Sequence, residues 1–154
     1  MQLAELLTTG SVLLSLKSEN REAIIRELLQ AIPYDRNVLS EEDAFKAVLE
    51  REISTSTGIG EGVAIPHAKC DIKEELVISL GISKKGVNFS AMDEKPVQVF
   101  FMLLSRKDVA GLHIKVLARI ALLLRSPTFK QDLFRCKAPI EVLELFKREE
   151  ASIR

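Results

Sequence analysis

The sequence predicts an α/β domain built around one mixed sheet. Three observations carry this expectation. Runs rich in β-branched and aromatic residues, such as "LVISLGI" (76–82) and "VQVFFMLL" (97–104), alternate with stretches whose apolar residues recur at helical spacing. The 154 residues suffice for a proper core in one domain, predicted to span 1–154. No low-complexity stretch, internal repeat or long linker interrupts them.

Taken in order, "SVLLSL" (11–16) reads as a short buried strand. Ser18 is the expected N-cap of a helix with Ile24, Ile25, Leu28, Leu29 and Ile32 on its inner face, stopped by Pro33. Ser40 and Asp43 resemble a capping box. Glu41, Glu42 and Asp43 suit the positive end of a helix that carries Phe45, Val48 and Leu49 inward and ends near Arg51 or Glu52. A glycine loop follows, then "VAIP" (63–66) as a strand. Gly86, Asn88 and Pro96 mark the turn-rich link between the two long β-rich runs. Asp108 is the expected cap of a longer helix with Leu112, Val116, Ile120 and Leu123 inward. Pro127 and Pro139 each suit the first turn of a further helix.

Charge and composition exclude several classes of function. Twenty-two basic and twenty-two acidic side chains cancel, so no strong field points to nucleic acid or an anionic membrane. Apolar runs such as "IALLL" are far too short to span a bilayer. The start, "MQLAELLTTG", lacks the basic residues of a secretory signal and carries Glu5. Two cysteines make no disulfide framework and fit a reducing, cytoplasmic location.

The chemistry concentrates in "STSTGIGEGVAIPHAKC" (54–70), with three of the seven glycines and one of the two histidines. Gly58, Gly60 and Gly62 would let backbone N–H groups turn inward as an anion-binding nest. Pro66 restricts Ile65 to an extended shape and fixes its own φ, so His67 projects in a defined direction. A neutral imidazole with one nitrogen held as a donor is a good nucleophile towards phosphorus. Nest and oriented ring together suit a phosphohistidine; a tight turn beside an ordinary surface histidine is the other way to read the spacing.

Around this stretch, other readings are weighed residue by residue. His113, near the start of its helix, is either a half-buried histidine satisfied by one backbone bond or a neutral ring that donates to a phosphoryl oxygen on His67. Arg51 is either a solvated charge at a helix end or a guanidinium that binds phosphate. His67, Cys70, His113 and Cys136 could form a zinc set, although the second pair is scattered. A thiol nucleophile at Cys70 lacks a base with an orienting partner. The nucleotide P-loop and dinucleotide fingerprints both fail, the latter because Val63 or Ile65 stands where its third glycine belongs. Ile59, Val63 and Ile65 are candidate apolar contacts for a docking partner, with Val63 and Ile65 alternatively pointing inward.

Glu52, six positions, then "IGEGVAIPHA" resembles the phosphohistidine signature of the enzyme IIA domains of the bacterial phosphotransferase system, fructose–mannitol class, including its nitrogen-regulatory branch. "GVNFSAMDEKPVQVFFMLL" and "HIKVLARIA" resemble the family's turn-and-core-strand segment and its second-histidine helix, so the similarity runs from about Leu3 to Phe146. The resemblance implies a mixed five-stranded sheet with helices on both faces. It implies that His67 accepts a phosphoryl group through Nε2 from the phosphorylated histidine carrier protein, and that Arg51 and His113 stabilise the phosphoryl oxygens. A IIB domain or a regulatory target would receive the group or the signal. No metal, nucleotide or other cofactor is implied, because the donor is already an activated phosphoramidate. A transfer enzyme in sugar uptake and a regulator switched by His67 phosphorylation are both expected possibilities; the chain's lack of a fused IIB, IIC or carrier domain tilts the expectation slightly towards regulation.

Overall fold

Most helices in this chain start where a side chain or a proline suits the first turn. A computed structural model describes residues 2–54, 58–89 and 94–153. Its elements are α1 (Leu3–Leu6), a 3-10 turn (Thr9–Ser11), β1 (Val12–Leu13), α2 (Arg21–Gln30), α3 (Glu41–Ser54), β2 (Gly58–Gly60), β3 (Val63–Ala64), β4 (His67–Cys70), β5 (Leu76–Val87), β6 (Val97–Arg106), α4 (Ala110–Leu124), α5 (Pro127–Arg135) and α6 (Pro139–Ala151). Ser126 caps α5 through the Phe129 N–H with Pro127 in the first turn, and Pro139 opens α6. Ser40 accepts from the Asp43 N–H at 3.1 Å, the forward half of the predicted box.

Two expected caps are corrected. Asn20, not Ser18, caps α2 by accepting from the Ala23 N–H at 2.9 Å. Ser18 lies two residues too early, and its hydroxyl donates instead to Glu27 Oε1 at 2.7 Å. Asp108 does not cap α4, because its carboxylate is taken by Arg106 Nε at 2.6 Å and Val109 precedes the helix. The "SVLLSL" strand is also shorter than expected: only Val12 and Leu13 pair with β5, and the Leu16 N–H rejoins it at the Ile82 carbonyl, 2.9 Å away.

The strands form one mixed sheet in five rows, ordered β1-β5-β6-β3-β2. β3 and β4 occupy the same row, both parallel to β6, with Ile65 and Pro66 between them. β1 runs parallel to β5, β5 antiparallel to β6, and β2 antiparallel to β3. Side chains alternate across this sheet. Ala64, Ala68, Cys70, Phe100, Met102 and Leu104 pack against α2 and α3. Val63, Ile65, Val99, Phe101 and Leu103 pack on the opposite face among residues of α1, α4, α5 and α6. Helices therefore cover both faces, as the resemblance implied. Among the described residues no helix is long and apolar enough to cross a membrane.

Candidate active site

The site lies at the edge of the sheet where β4 is flanked by α3 and α4. Apolar residues hold α3 against the sheet through Ala44, Phe45 and Val48. That packing turns Ala47, Glu50, Arg51 and Ser54, spaced along one helical face, towards β4. Val116, Ile120 and Leu123 seat α4 on the other face, and this brings His113 and Leu117 to the same opening. With His67, Ala68 and Lys69 of β4 they line a cleft of about 580 Å³.

His67 is half-buried in this cleft. Its Nδ1 stands 2.7 Å from the carbonyl oxygen of Ile65, two residues back. A carbonyl only accepts, so Nδ1 carries the proton and Nε2 keeps its lone pair. Burial holds this imidazole below the ordinary histidine value; the Ile65 bond opposes that, the charge of Arg51 lowers it further, and buried Glu52 raises it. The ring is therefore neutral near pH 7, with a free Nε2. That is the state a nitrogen nucleophile needs.

His113 sits 4% exposed in the first turn of α4, its ring centroid 5.2 Å from that of His67. Its Nδ1 is 2.5 Å from Ser105 Oγ, a buried hydroxyl on β6. Burial first, then the nearby His67, Lys69 and Arg51, push its pKa down to about 4. It is thus bonded to a side chain, where the sequence alone left a backbone bond or a phosphoryl contact open. Arg51 is exposed in the last turn of α3 and lines the cleft.

The structure thus brings His67, His113 and Arg51 together, and it separates the other candidates. Gly58 and Gly60 pair with Ala64 and Val63 in a β-hairpin, whose turn, Glu61 and Gly62, has φ of 57° and 80°. Both positive angles belong to the tight turn that suits strand twist, and this explains the glycine better than an open nest does. Gly58, Gly60 and Gly62 are not among the residues that line the cleft described here. Lys130 Nζ donates to the Glu61 carbonyl at 2.9 Å and pins the turn. Val63 and Ile65 are 1% and 5% exposed within the core, so they are not docking contacts. The Ile59 side chain lies outside the described residues, as do Ser90–Asp93 of the family-like turn.

The zinc set is also corrected. Cys70 is packed on the α3 side of the sheet, whereas Cys136 packs against the core on the opposite side. Among the described residues no group of three potential ligands gathers. Burial raises the Cys70 thiol to about 11, so it is no nucleophile near pH 7.

Two contributors escaped the sequence reading. Lys69 lines the cleft because it is two residues beyond His67 on the same strand, a signal that alternation contains. Ser105 offers no such signal: it is one serine at the end of an apolar run, and its relation to His113 arises only when β6 and α4 pack.

The family model described as "Phosphoenolpyruvate-dependent sugar phosphotransferase system, EIIA 2" matches residues 5–149. The chain belongs to this family. It is a phosphotransferase component that carries a phosphoryl group through phosphohistidine. It is 30% identical over 151 residues to the fructose-specific EIIABC component of Bacillus subtilis, covering 97% of this chain but only 24% of that longer protein. It is 32% identical over 133 residues to a nitrogen regulatory protein of Bradyrhizobium diazoefficiens, covering 86% of each. The crystal structure of the nitrogen regulatory protein IIA-Ntr from Neisseria meningitidis superposes with a TM-score of 0.86 at 27% identity, over 94% of this chain and 98% of that one. The five-row mixed sheet of this IIA chain is therefore the family's fold.

Proposed function

We propose that His67 is the residue on which this IIA chain carries its phosphoryl group, and that Nε2 is the accepting atom. The observation that supports this is the 2.7 Å bond from Nδ1 to the Ile65 carbonyl, which leaves Nε2 unprotonated in an open cleft. In the transfer, the Nε2 lone pair forms the new N–P bond while the donor's P–N bond breaks and its electron pair returns to the donor nitrogen. The proton stays on Nδ1, donated to the Ile65 carbonyl, so no proton has to cross the site. Charge in such a transition state spreads over three phosphoryl oxygens, and catalysis is mostly positioning and electrostatics. Arg51 and His113, on opposite walls of the cleft, are the groups that meet that charge.

The donor in this reading is the phosphorylated histidine carrier protein, in the cytoplasm, and the acceptor is a IIB domain. Use of the same phosphohistidine as a regulatory signal is the second reading, favoured by the likeness to a nitrogen regulatory protein over 86% of its length. Incubation with the phosphorylated carrier protein should add one phosphoryl group, labile in acid and persistent in alkali. His67→Ala should take up none while keeping its circular dichroism and melting. Undiminished labelling of that variant would place the acceptor elsewhere.

A further inference from the structure

We infer that Ser105 is a positioning residue, which holds His113 in the tautomer with its proton on Nε2 so that this ring donates to the phosphoryl oxygens. The inference rests on the proposed acceptor role of His67. β6 places it: Val99, Phe101 and Leu103 face α4 in succession, and alternation puts Ser105 on that same face. Ser105 is fully buried there, and opposite it on β4 stands Lys69. Among the described residues, His113 Nδ1 is the one hydrogen-bond partner given for Ser105 Oγ.

Two arrangements satisfy a hydroxyl and an imidazole nitrogen at this distance. In one, Nδ1–H donates to Oγ, and the serine proton is left buried without an acceptor. In the other, Oγ–H donates to an unprotonated Nδ1, so the fully buried hydroxyl is satisfied and the ring's own proton sits on Nε2 of a residue that lines the cleft. A buried donor left unmade is the costlier state, so the second arrangement prevails. His113 is neutral because burial disfavours its charge, so its single proton then resides on Nε2.

The two rings, 5.2 Å apart, are thereby set in opposite senses. A carbonyl, which only accepts, makes Nε2 of His67 a lone pair. A hydroxyl, free to donate, makes Nε2 of His113 an N–H. One ring attacks phosphorus and the other binds its oxygens. If His113 instead presented a lone pair, it would repel those oxygens. Ser105 touches neither phosphate nor donor and acts through His113 alone.

Long-range ¹H–¹⁵N correlation spectra of the full chain labelled at histidine read the tautomers directly. His113 is expected with a protonated Nε2 and a pyridine-like Nδ1, and His67 with the reverse. Ser105→Ala should let His113 populate both tautomers and slow labelling of His67 by the small donor phosphoramidate about 10- to 100-fold, the range in which loss of a histidine's orienting partner falls. Ser105→Thr, which keeps the hydroxyl, should restore both the tautomer and the rate. A wild-type His113 protonated on Nδ1 would overturn the inference, whatever the variants' stability. So would an unchanged tautomer and rate in a folded Ser105→Ala chain. Failure of phosphoramidate to label His67 in the wild type, with the tautomers as expected, would sink the acceptor reading while upholding the proton assignment at His113.

Discussion

His67 and His113 face each other with ring centroids 5.2 Å apart and planes tilted by 60°, and each is held at Nδ1 by a partner on its own side of the cleft. Both lie in surroundings that disfavour a positive ring, and each would also raise the cost of charging the other. The pair is a neutral one by construction.

Stability should therefore fall between neutral and mildly acid pH. Both rings have folded-state pKa values below 6.5, and that of His113 is about 4. Between those limits the unfolded chain binds protons that the folded chain excludes. Their contribution is thus fully present above pH 6.5 and is lost as pH falls towards 4. Urea midpoints at pH 7.5 and 5 should show the decline, at acidities where most carboxylates remain ionised. His113→Gln should flatten it. An equal slope in that variant would mean that other groups cause the loss.

Transfer should be sensitive to the two groups across from the nucleophile. His113→Ala should still accept phosphate, but about 10²–10³-fold more slowly, the usual cost of one donor to charge in transit. Arg51→Lys should also be slowed, since an ammonium cannot reproduce a planar fork of donors. Single-turnover labelling in rapid quench would decide this; wild-type rates in both variants would make the side chains structural only.

The thiols should react in a fixed order. Cys70 is 4% exposed with a pKa of about 11, whereas Cys136 is partly exposed after α5 and its pKa is raised as well. Both should alkylate slowly at pH 7.5, with Cys136 ahead and Cys70 modified only as the chain opens. Mass spectrometry of peptides from native and urea-treated protein gives the order.

Glu150 should stabilise the fold out of proportion to its distance from the site. Its buried carboxylate accepts from the Leu3 and Ala4 N–H groups at 2.7 and 2.8 Å, with Arg119 Nε at 3.8 Å. Glu150→Ala leaves two main-chain donors and a cation without their acceptor, and should cost about 1–3 kcal/mol or more. Phosphoryl transfer should persist at a temperature where the variant stays folded.

Much of this molecule was legible before folding, for reasons that can be located. Strands β5 and β6 and helix α4 were evident because their apolar periods match single secondary structures, and Pro66 beside His67 marked an oriented ring by local geometry alone. What was missed depends on competition or on three-dimensional neighbours. Asp108 is a sound cap by type, but Arg106 two residues earlier claims it. Gly58, Gly60 and Gly62 permit either a nest or a hairpin, and Gly58 and Gly60 pair with Ala64 and Val63 as a hairpin. Ser105 gains its partner from a helix that begins five residues later, so no local pattern could reveal it.

The bond that arms His67 comes from the backbone of its own row. The carbonyls of Gly62 and Pro66 accept from Val99 and Leu103 of β6, so alternation along this row turns the carbonyl of Ile65 away from β6. Among the described strands β4 pairs with β6 alone, and the imidazole of His67 takes the Ile65 oxygen. Only main-chain atoms supply it, so substituting the Ile65 side chain cannot delete the acceptor. A stray strand can. Any extended peptide that paired with that carbonyl, from an aggregate or a swapped copy, would displace Nδ1 and free it to lose its proton. Leaving that oxygen to the imidazole thus protects the chain's reactivity.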